Sequence, residues 1–223
     1  MPRLKRLATV ALLLAAVFLV DRHWRAHPTR QAEWLRAGDV QVRAVRAGAG
    51  DTTLFFLHGY VESLVAWRPL FEHFARQYRV IAIDVPGSGR CDKLLVFDTL
   101  GAQEARLSDF LDRWSTGPVV VVGHSMGGEL AAALAIDRPD RVSAAVLIAP
   151  AGWGLADRLD SLRPGTIGAI GWAAAAAATI LPVHDPGWLA EPPERANYDL
   201  LSDKRYRAAA TAVMREFDFA ALA

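Results

Sequence analysis

Apolar residues fall in short unbroken blocks along much of this chain, interrupted by turn residues and by stretches with helical spacing. Val40, Val42 and Val45 precede Gly48-Ala49-Gly50-Asp51, the pattern of a strand running into a turn. Thr52 to Leu57 reads as a second strand and Arg79 to Asp84 as a third. Between them Leu64, Trp67, Leu70, Phe71 and Phe74 predict a helix that reaches about Tyr78 with these side chains in the core. His73, among them, reads as structural. Leu100 to Trp114 is amphipathic and predicts a longer helix. Val119 to Val122 is a β-branched block of the kind found in strands covered on both faces. Gly128 to Ile136 follows as a helix stopped by Asp137-Arg138-Pro139-Asp140, and Val142 to Ala149 is a further strand. Strands alternating with helices in this way call for an α/β fold, a mainly parallel sheet with helices on both faces. His23 to Arg36 has no clear period and reads as a linker with a short helix at best, with His23 and His27 solvated.

The chemistry sits between the Val119 strand and the helix after it, where Gly123-His124-Ser125-Met126-Gly127 fits G-x-S-x-G. A serine on so tight a strand-to-helix turn takes a strained backbone, and side chains at 123 and 127 would collide with the flanking elements; glycine removes the clash. The turn lifts the Ser125 hydroxyl above the carboxyl edge of the sheet, at the amino end of a helix, and presents the Met126 N–H to an oxyanion. An ordinary serine in a glycine-rich turn is the plainer alternative. The strand before, the helix after and the additional Gly128 weigh against it. His124, next to the nucleophile, is expected to point away from it.

Two further segments complete a pattern. His58-Gly59-Tyr60 ends the Thr52 strand, with Glu62-Ser63 and Trp67 beyond it, and Asp84-Val85-Pro86-Gly87-Ser88-Gly89-Arg90 opens from the Arg79 strand. Together with the elbow these resemble the α/β-hydrolase superfamily, in its capped, esterase- or lipase-like branch. The loop is similar to that family's D-x-P-G-x-G-x-S-D, with Cys91 where serine is usual before Asp92. The resemblance implies that Tyr60 supplies a second oxyanion N–H, a donor typically worth about 3 to 4 kcal/mol in the transition state. It further implies that His58 holds the loop and that Asp84 shapes its own loop, neither being base or triad acid. Val142 to Ala149 becomes the sixth strand of the family scheme, and a helical cap over the active site follows it.

From Pro150 the texture does change: Gly152, Gly154, Pro164 and Gly165 break the chain, and Thr166 to Leu181 is almost wholly apolar. As part of a cap this run walls an apolar substrate pocket or packs within the cap; with Gly168 and Gly171 inside it, it is short for a membrane span. Lys204 to Phe217 is helical again. The expected organisation is therefore residues 1–22 as an N-terminal signal segment, 23–38 as linker, 39–150 as an incomplete α/β-hydrolase core and 151–223 as the cap region.

Composition narrows the partners. Lys and Arg number 25 against 24 Asp and Glu, a net charge of +1, so nothing points to a nucleic-acid surface. Cys91 is the single cysteine, which excludes an intrachain disulfide and any cysteine-based zinc cluster. No cofactor or metal is called for. At the amino terminus Arg3, Lys5 and Arg6 precede an uncharged run from Leu7 to Val20, closed by Asp21 and Arg22. At about 1.5 Å per residue the run reaches about 21 Å, short of a hydrocarbon core of about 30 Å unless Arg6 and Arg22 snorkel. No small-x-small cleavage site follows soon after Val20, so an uncleaved signal anchor is preferred to a removed signal peptide. Either is expected to place the catalytic part outside the cytoplasm, membrane-anchored, secreted or periplasmic; a plain soluble helix is the remaining alternative.

A serine nucleophile needs a base, and the base needs a carboxylate to orient it. In the family these follow the cap, after a seventh and an eighth strand, and the 223 residues hold no match to either. Asp157 and Asp160 are the local candidates to stand in for the acid, and His184 for the base. Lacking the base, such enzymes keep about 10³ to 10⁴ over water from binding and the oxyanion hole, so the 223-residue chain is expected to be nearly inactive. Without further strands Val146-Leu147-Ile148 would form an open apolar edge, and the chain reads as an incomplete copy of a longer hydrolase. The expected function is hydrolysis of a small apolar acyl compound, such as a carboxylic ester or lipid, through an acyl-enzyme at Ser125. The alternative is a membrane-tethered, non-catalytic binding module.

Overall fold

The computed structural model describes residues 30–60, 62–91 and 99–152. In chain order these form β1 (Glu33–Ala37), β2 (Val40–Ala47), β3 (Thr53–Leu57), a 3-10 turn (Leu64–Trp67) leading into α1 (Arg68–Phe74), β4 (Arg79–Ile83), α2 (Leu100–Trp114), β5 (Val119–His124), α3 (Met126–Asp137) and β6 (Val142–Ile148). One sheet of order β1-β2-β4-β3-β5-β6 takes every strand. β1 and β2 form an antiparallel hairpin and β2 is antiparallel to β4, while β4, β3, β5 and β6 run parallel. This is the mainly parallel sheet the alternation of blocks predicts.

Helices cover both faces. On one, Phe55, Leu57, Ile81, Ile83 and Val121 pack in a cluster with Leu107, Phe110 and Leu111 of α2 and with Leu130 and Leu134 of α3. On the other, Leu54, Phe56, Val80 and Ala82 pack with Leu64, Trp67 and Phe71. Successive strand residues face opposite layers, so a strand with both faces covered has no polar side. That is why β3 reads as the uninterrupted block Thr-Leu-Phe-Phe-Leu, buried throughout. Phe55 stacks on Phe110 at 5.4 Å between ring centroids, and Phe56 leans on Trp67 at 5.1 Å in the other layer. α2 starts where Thr99 Oγ1 accepts the Ala102 N–H at 3.0 Å, a side-chain N-cap, and buries Leu100, Leu107, Phe110 and Leu111.

Three expectations need correction. Residues 33–37, read as the end of a linker with at most a short helix, are strand β1; its Leu35 and Ala37 face inward and its Trp34 stays 50% exposed. The first helix is shorter than expected, ending at Phe74, and it opens with a 3-10 turn. Leu70, placed in the core from its spacing, is on the outer surface, while Leu64, Trp67 and Phe71 are buried. His73 is exposed and meets Phe74 edge to face at 5.0 Å. At the far edge β6 has β5 as its one strand neighbour among the described residues, and Val146, Leu147 and Ile148 are exposed. The signal segment and nearly all of the cap region lie outside the described residues. Among those described, no helix is long and apolar enough to cross a membrane.

One titration is built into the α2–α3 contact. Partial burial and then a hydrogen bond shared with Asp137 push the Glu104 carboxyl up from an ordinary 4.5 to about 7. The folded chain therefore holds this proton more tightly than the unfolded chain does. Its contribution to stability is complete below about pH 4.5 and is lost as pH rises through about 7. Glu104→Gln should flatten the fall of Tm between about pH 5 and pH 8 relative to the wild type, as read by thermal melts at constant ionic strength.

Candidate active site

The register brings three loops to one edge. Leu57 pairs with Ile83 on one side and with Gly123 on the other, so the parallel strands β4, β3 and β5 reach the same level. The segments that leave them, 58–60, 84–91 and 124–126, emerge together at the carboxyl end of the sheet. Open α/β sheets offer their ligand sites at this end.

Ser125 is the N-cap of α3 and has φ 52° and ψ −119°, a positive φ that a non-glycine residue adopts only at a cost of about 1 to 3 kcal/mol. Both of its backbone groups are engaged. Its N–H donates to Ile148 O at 3.0 Å, and its carbonyl accepts from Gly128, Glu129 and Ala151 at 2.9, 3.2 and 2.9 Å. The flanking glycines are close-packed as their pattern predicts. A Cβ on Gly127 would overlap the Leu57 carbonyl and stand 2.6 Å from the His58 carbonyl; one on Gly123 would overlap the Gly127 carbonyl. Met126 is the first residue of α3, so its N–H has no acceptor within the helix and lies at the positive end of the dipole.

His58 is fully buried and joins two of the loops. Its Nε2 accepts the Val85 N–H at 2.9 Å, which places the ring proton on Nδ1, and Nδ1–H donates to Gly59 O at 2.8 Å. Burial pushes the imidazole below its usual pKa and keeps it neutral. With both nitrogens committed, this ring holds a loop and has no lone pair to offer Ser125. The Gly59 carbonyl belongs to the same peptide unit as the Tyr60 N–H. In a planar trans peptide the two point in opposite directions, so a carbonyl held by His58 fixes the aim of the Tyr60 amide.

Asp84 binds its surroundings in the same way. Its Oδ1 accepts the Leu64 N–H at 2.9 Å, its Oδ2 accepts the Arg90 N–H at 3.0 Å, and Arg43 Nε lies 2.8 Å from Oδ2 with both side chains wholly buried. The carboxylate thus ties β2, the 3-10 turn and its own loop together, leaving it no part in a triad. Cys91 is buried behind it, its Sγ donating to Asp84 O at 3.6 Å. Asp84→Asn removes the charge facing Arg43 and should cost about 3 to 5 kcal/mol in urea unfolding.

The contact between Glu62 and His124 is not evident from sequence. Glu62 Oε2 accepts the Gly59 N–H at 2.8 Å and lies 3.2 Å from His124 Nδ1, beside Ser125. Sequence reasoning notes each residue separately, but the contact spans two loops and carries no local signature. Arg43 does have one, as a charged residue amid the apolar positions of β2. Among the described residues no imidazole hydrogen-bonds the Ser125 hydroxyl: His58 and His124 turn to the partners above. Asp157, Asp160 and His184 lie outside the described residues.

Comparison with known proteins agrees with this geometry. A family model described as alpha/beta hydrolase fold matches residues 52–165. The chain is 39% identical over 103 residues to lipase LipV of Mycobacterium tuberculosis, covering 46% of this chain and 39% of that protein. It is 38% identical over 115 residues to a dihydrolipoyllysine-residue acetyltransferase component of the acetoin cleaving system of Cupriavidus necator, covering 52% of this chain and 31% of the relative. Among solved structures, the thioesterase domain from the curacin biosynthetic pathway superposes with a TM-score of 0.51 at 27% identity, over 56% of this chain and 46% of that one. The chain thus spans between about a third and two fifths of the length of these two curated relatives.

Proposed function

This chain belongs to the alpha/beta hydrolase fold family, and on that premise we propose that it is a serine hydrolase of carboxylic esters or related apolar acyl compounds. Ser125 Oγ attacks the acyl carbonyl, the Tyr60 and Met126 N–H groups receive the oxyanion, and collapse expels the alcohol to leave an acyl-enzyme that water cleaves. The single observation that carries the reading is the strained Ser125 at the head of α3, held at φ 52° by bonds on both of its backbone groups. Strain kept in place by its surroundings is typical of a functional position. The relative named as a lipase and the solved thioesterase domain support acyl-group chemistry.

A second reading, a non-catalytic binding module with the same pocket, is favoured by one observation: no described imidazole bonds the Ser125 hydroxyl. A fluorophosphonate probe separates the two. Oxyanion stabilisation and binding alone retain about 10³ to 10⁴ over water, so the hydrolase reading expects slow covalent capture at Ser125, located by peptide mass spectrometry. No capture at Ser125 after prolonged incubation, with reversible binding of an unreactive acyl analogue, would leave the binding module standing.

A further inference from the structure

We propose that Glu62 and His124 are a positioning pair that clamps the oxyanion loop to the nucleophile turn. The proposal rests on the reading of Ser125 as nucleophile and adds residues that this reading does not use. His124 is the last residue of β5, level with Ile148 in the sheet, so its backbone is fixed one residue ahead of Ser125. Glu62 belongs to the other side of the site, just past the loop that holds Tyr60. Its Oε2 faces both elements at once, with the Gly59 N–H at 2.8 Å and His124 Nδ1 at 3.2 Å.

The Gly59 region is thereby held from several sides. Glu62 Oε2 takes its N–H, while its carbonyl accepts from His58 Nδ1 at 2.8 Å and from the Glu62 N–H at 3.2 Å. Those bonds set the plane of the 59–60 peptide, and with it the direction of the Tyr60 N–H. What they do not do is locate that peptide relative to Ser125. The His124 contact does, and the packing is tight there. A Cβ on Gly59 would stand 3.1 Å from each of Glu62 Oε2, His124 Nδ1 and Ser125 Cβ. The two side chains are 35% and 39% exposed, and a pair so accessible to water contributes little to global stability. Its effect is therefore expected in the registration of the two oxyanion donors, which need placing to within a few tenths of an ångström.

The test uses Glu62→Ala, His124→Ala and His124→Asn, the last keeping an N–H donor near the position of Nδ1. Two quantities are read in the full chain: exchange of the Gly59 amide by NMR, and the second-order rate of fluorophosphonate capture at Ser125. His124→Ala is decisive, since it leaves the Glu62 carboxylate available to Gly59. We expect it to speed Gly59 exchange about tenfold or more and to slow capture about ten- to a hundredfold, with Tm nearly unchanged. His124→Asn should restore both to within about threefold of wild type. Unchanged exchange in His124→Ala overturns the clamp, and so does faster exchange with an unchanged capture rate. If the wild type is not captured at Ser125, the hydrolase reading falls, and the clamp then stands or falls on the exchange result.

Discussion

Ser125→Ala is expected to abolish capture by a fluorophosphonate, leaving no adduct on that peptide under conditions that label the wild type. The proposed attack needs an oxygen nucleophile at one place, where the acyl or phosphonyl centre would also be within reach of the Met126 and Tyr60 amides. The neighbouring groups are engaged or buried: His58 is locked by bonds to Gly59 and Val85, the Glu62 carboxylate is taken by the Gly59 N–H and His124, and Ser88 and Cys91 are buried. An alanine side chain has no oxygen to bond the phosphonyl group, so residual labelling of a few per cent on that peptide would already be inconsistent with the assignment. The substitution should leave folding intact. The elbow is held through Ser125 backbone atoms, which alanine retains, and the CD spectrum and Tm are expected to stay near those of the wild type.

Gly127→Ala has the opposite signature. Its new Cβ would overlap the Leu57 carbonyl and approach that of His58, both backbone atoms at the end of the central strand β3. Backbone in the middle of a sheet cannot rotate away as a side chain can, so either α3 shifts as a unit or β3 does. We expect a loss of about 4 kcal/mol or more, seen as a fall in the urea midpoint or as failure to accumulate folded protein. Gly101→Ala provides the control. Gly101 is in the first turn of α2, and a Cβ there meets nothing within 4 Å; the gain should be about 0.5 to 1 kcal/mol from lower backbone entropy in the unfolded chain. Equal effects from the two substitutions would mean that the close approach at the elbow is absent in solution.

Much of this architecture is legible from the chain because its strands are buried on both faces. Thr53–Leu57 and Val119–His124 are nearly unbroken apolar blocks, and Gly123 and Gly127, on either side of Ser125, are forced by backbone contacts that no other residue tolerates. β1 is hidden for the converse reason. As an edge strand it buries little beyond Leu35 and Ala37 and shows Glu33, Trp34 and Arg36 to solvent or to partners, which blurs the alternation. The available signal was Gly38-Asp39 between Ala37 and Val40, a two-residue hairpin turn with Gly38 at φ 59°. Helical spacing places Leu70 in the core because it marks a face without stating how wide the buried stripe is. Asp84 was recognisable as a loop-shaping carboxylate, but its partner Arg43, 41 positions earlier in the chain, is joined to it only by the antiparallel pairing of β2 with β4. The same holds for Glu62 and His124. Contacts between separate loops are made by the register of the sheet, and local pattern does not carry register.

The account depends on two amides converging over one serine. A crystal structure of the Ser125 phosphonate adduct tests this directly: the phosphonyl oxygen should lie about 2.7 to 3.1 Å from both the Tyr60 and the Met126 nitrogens. An adduct oxygen turned to solvent, or bonded to other donors while those two amides point elsewhere, would contradict it.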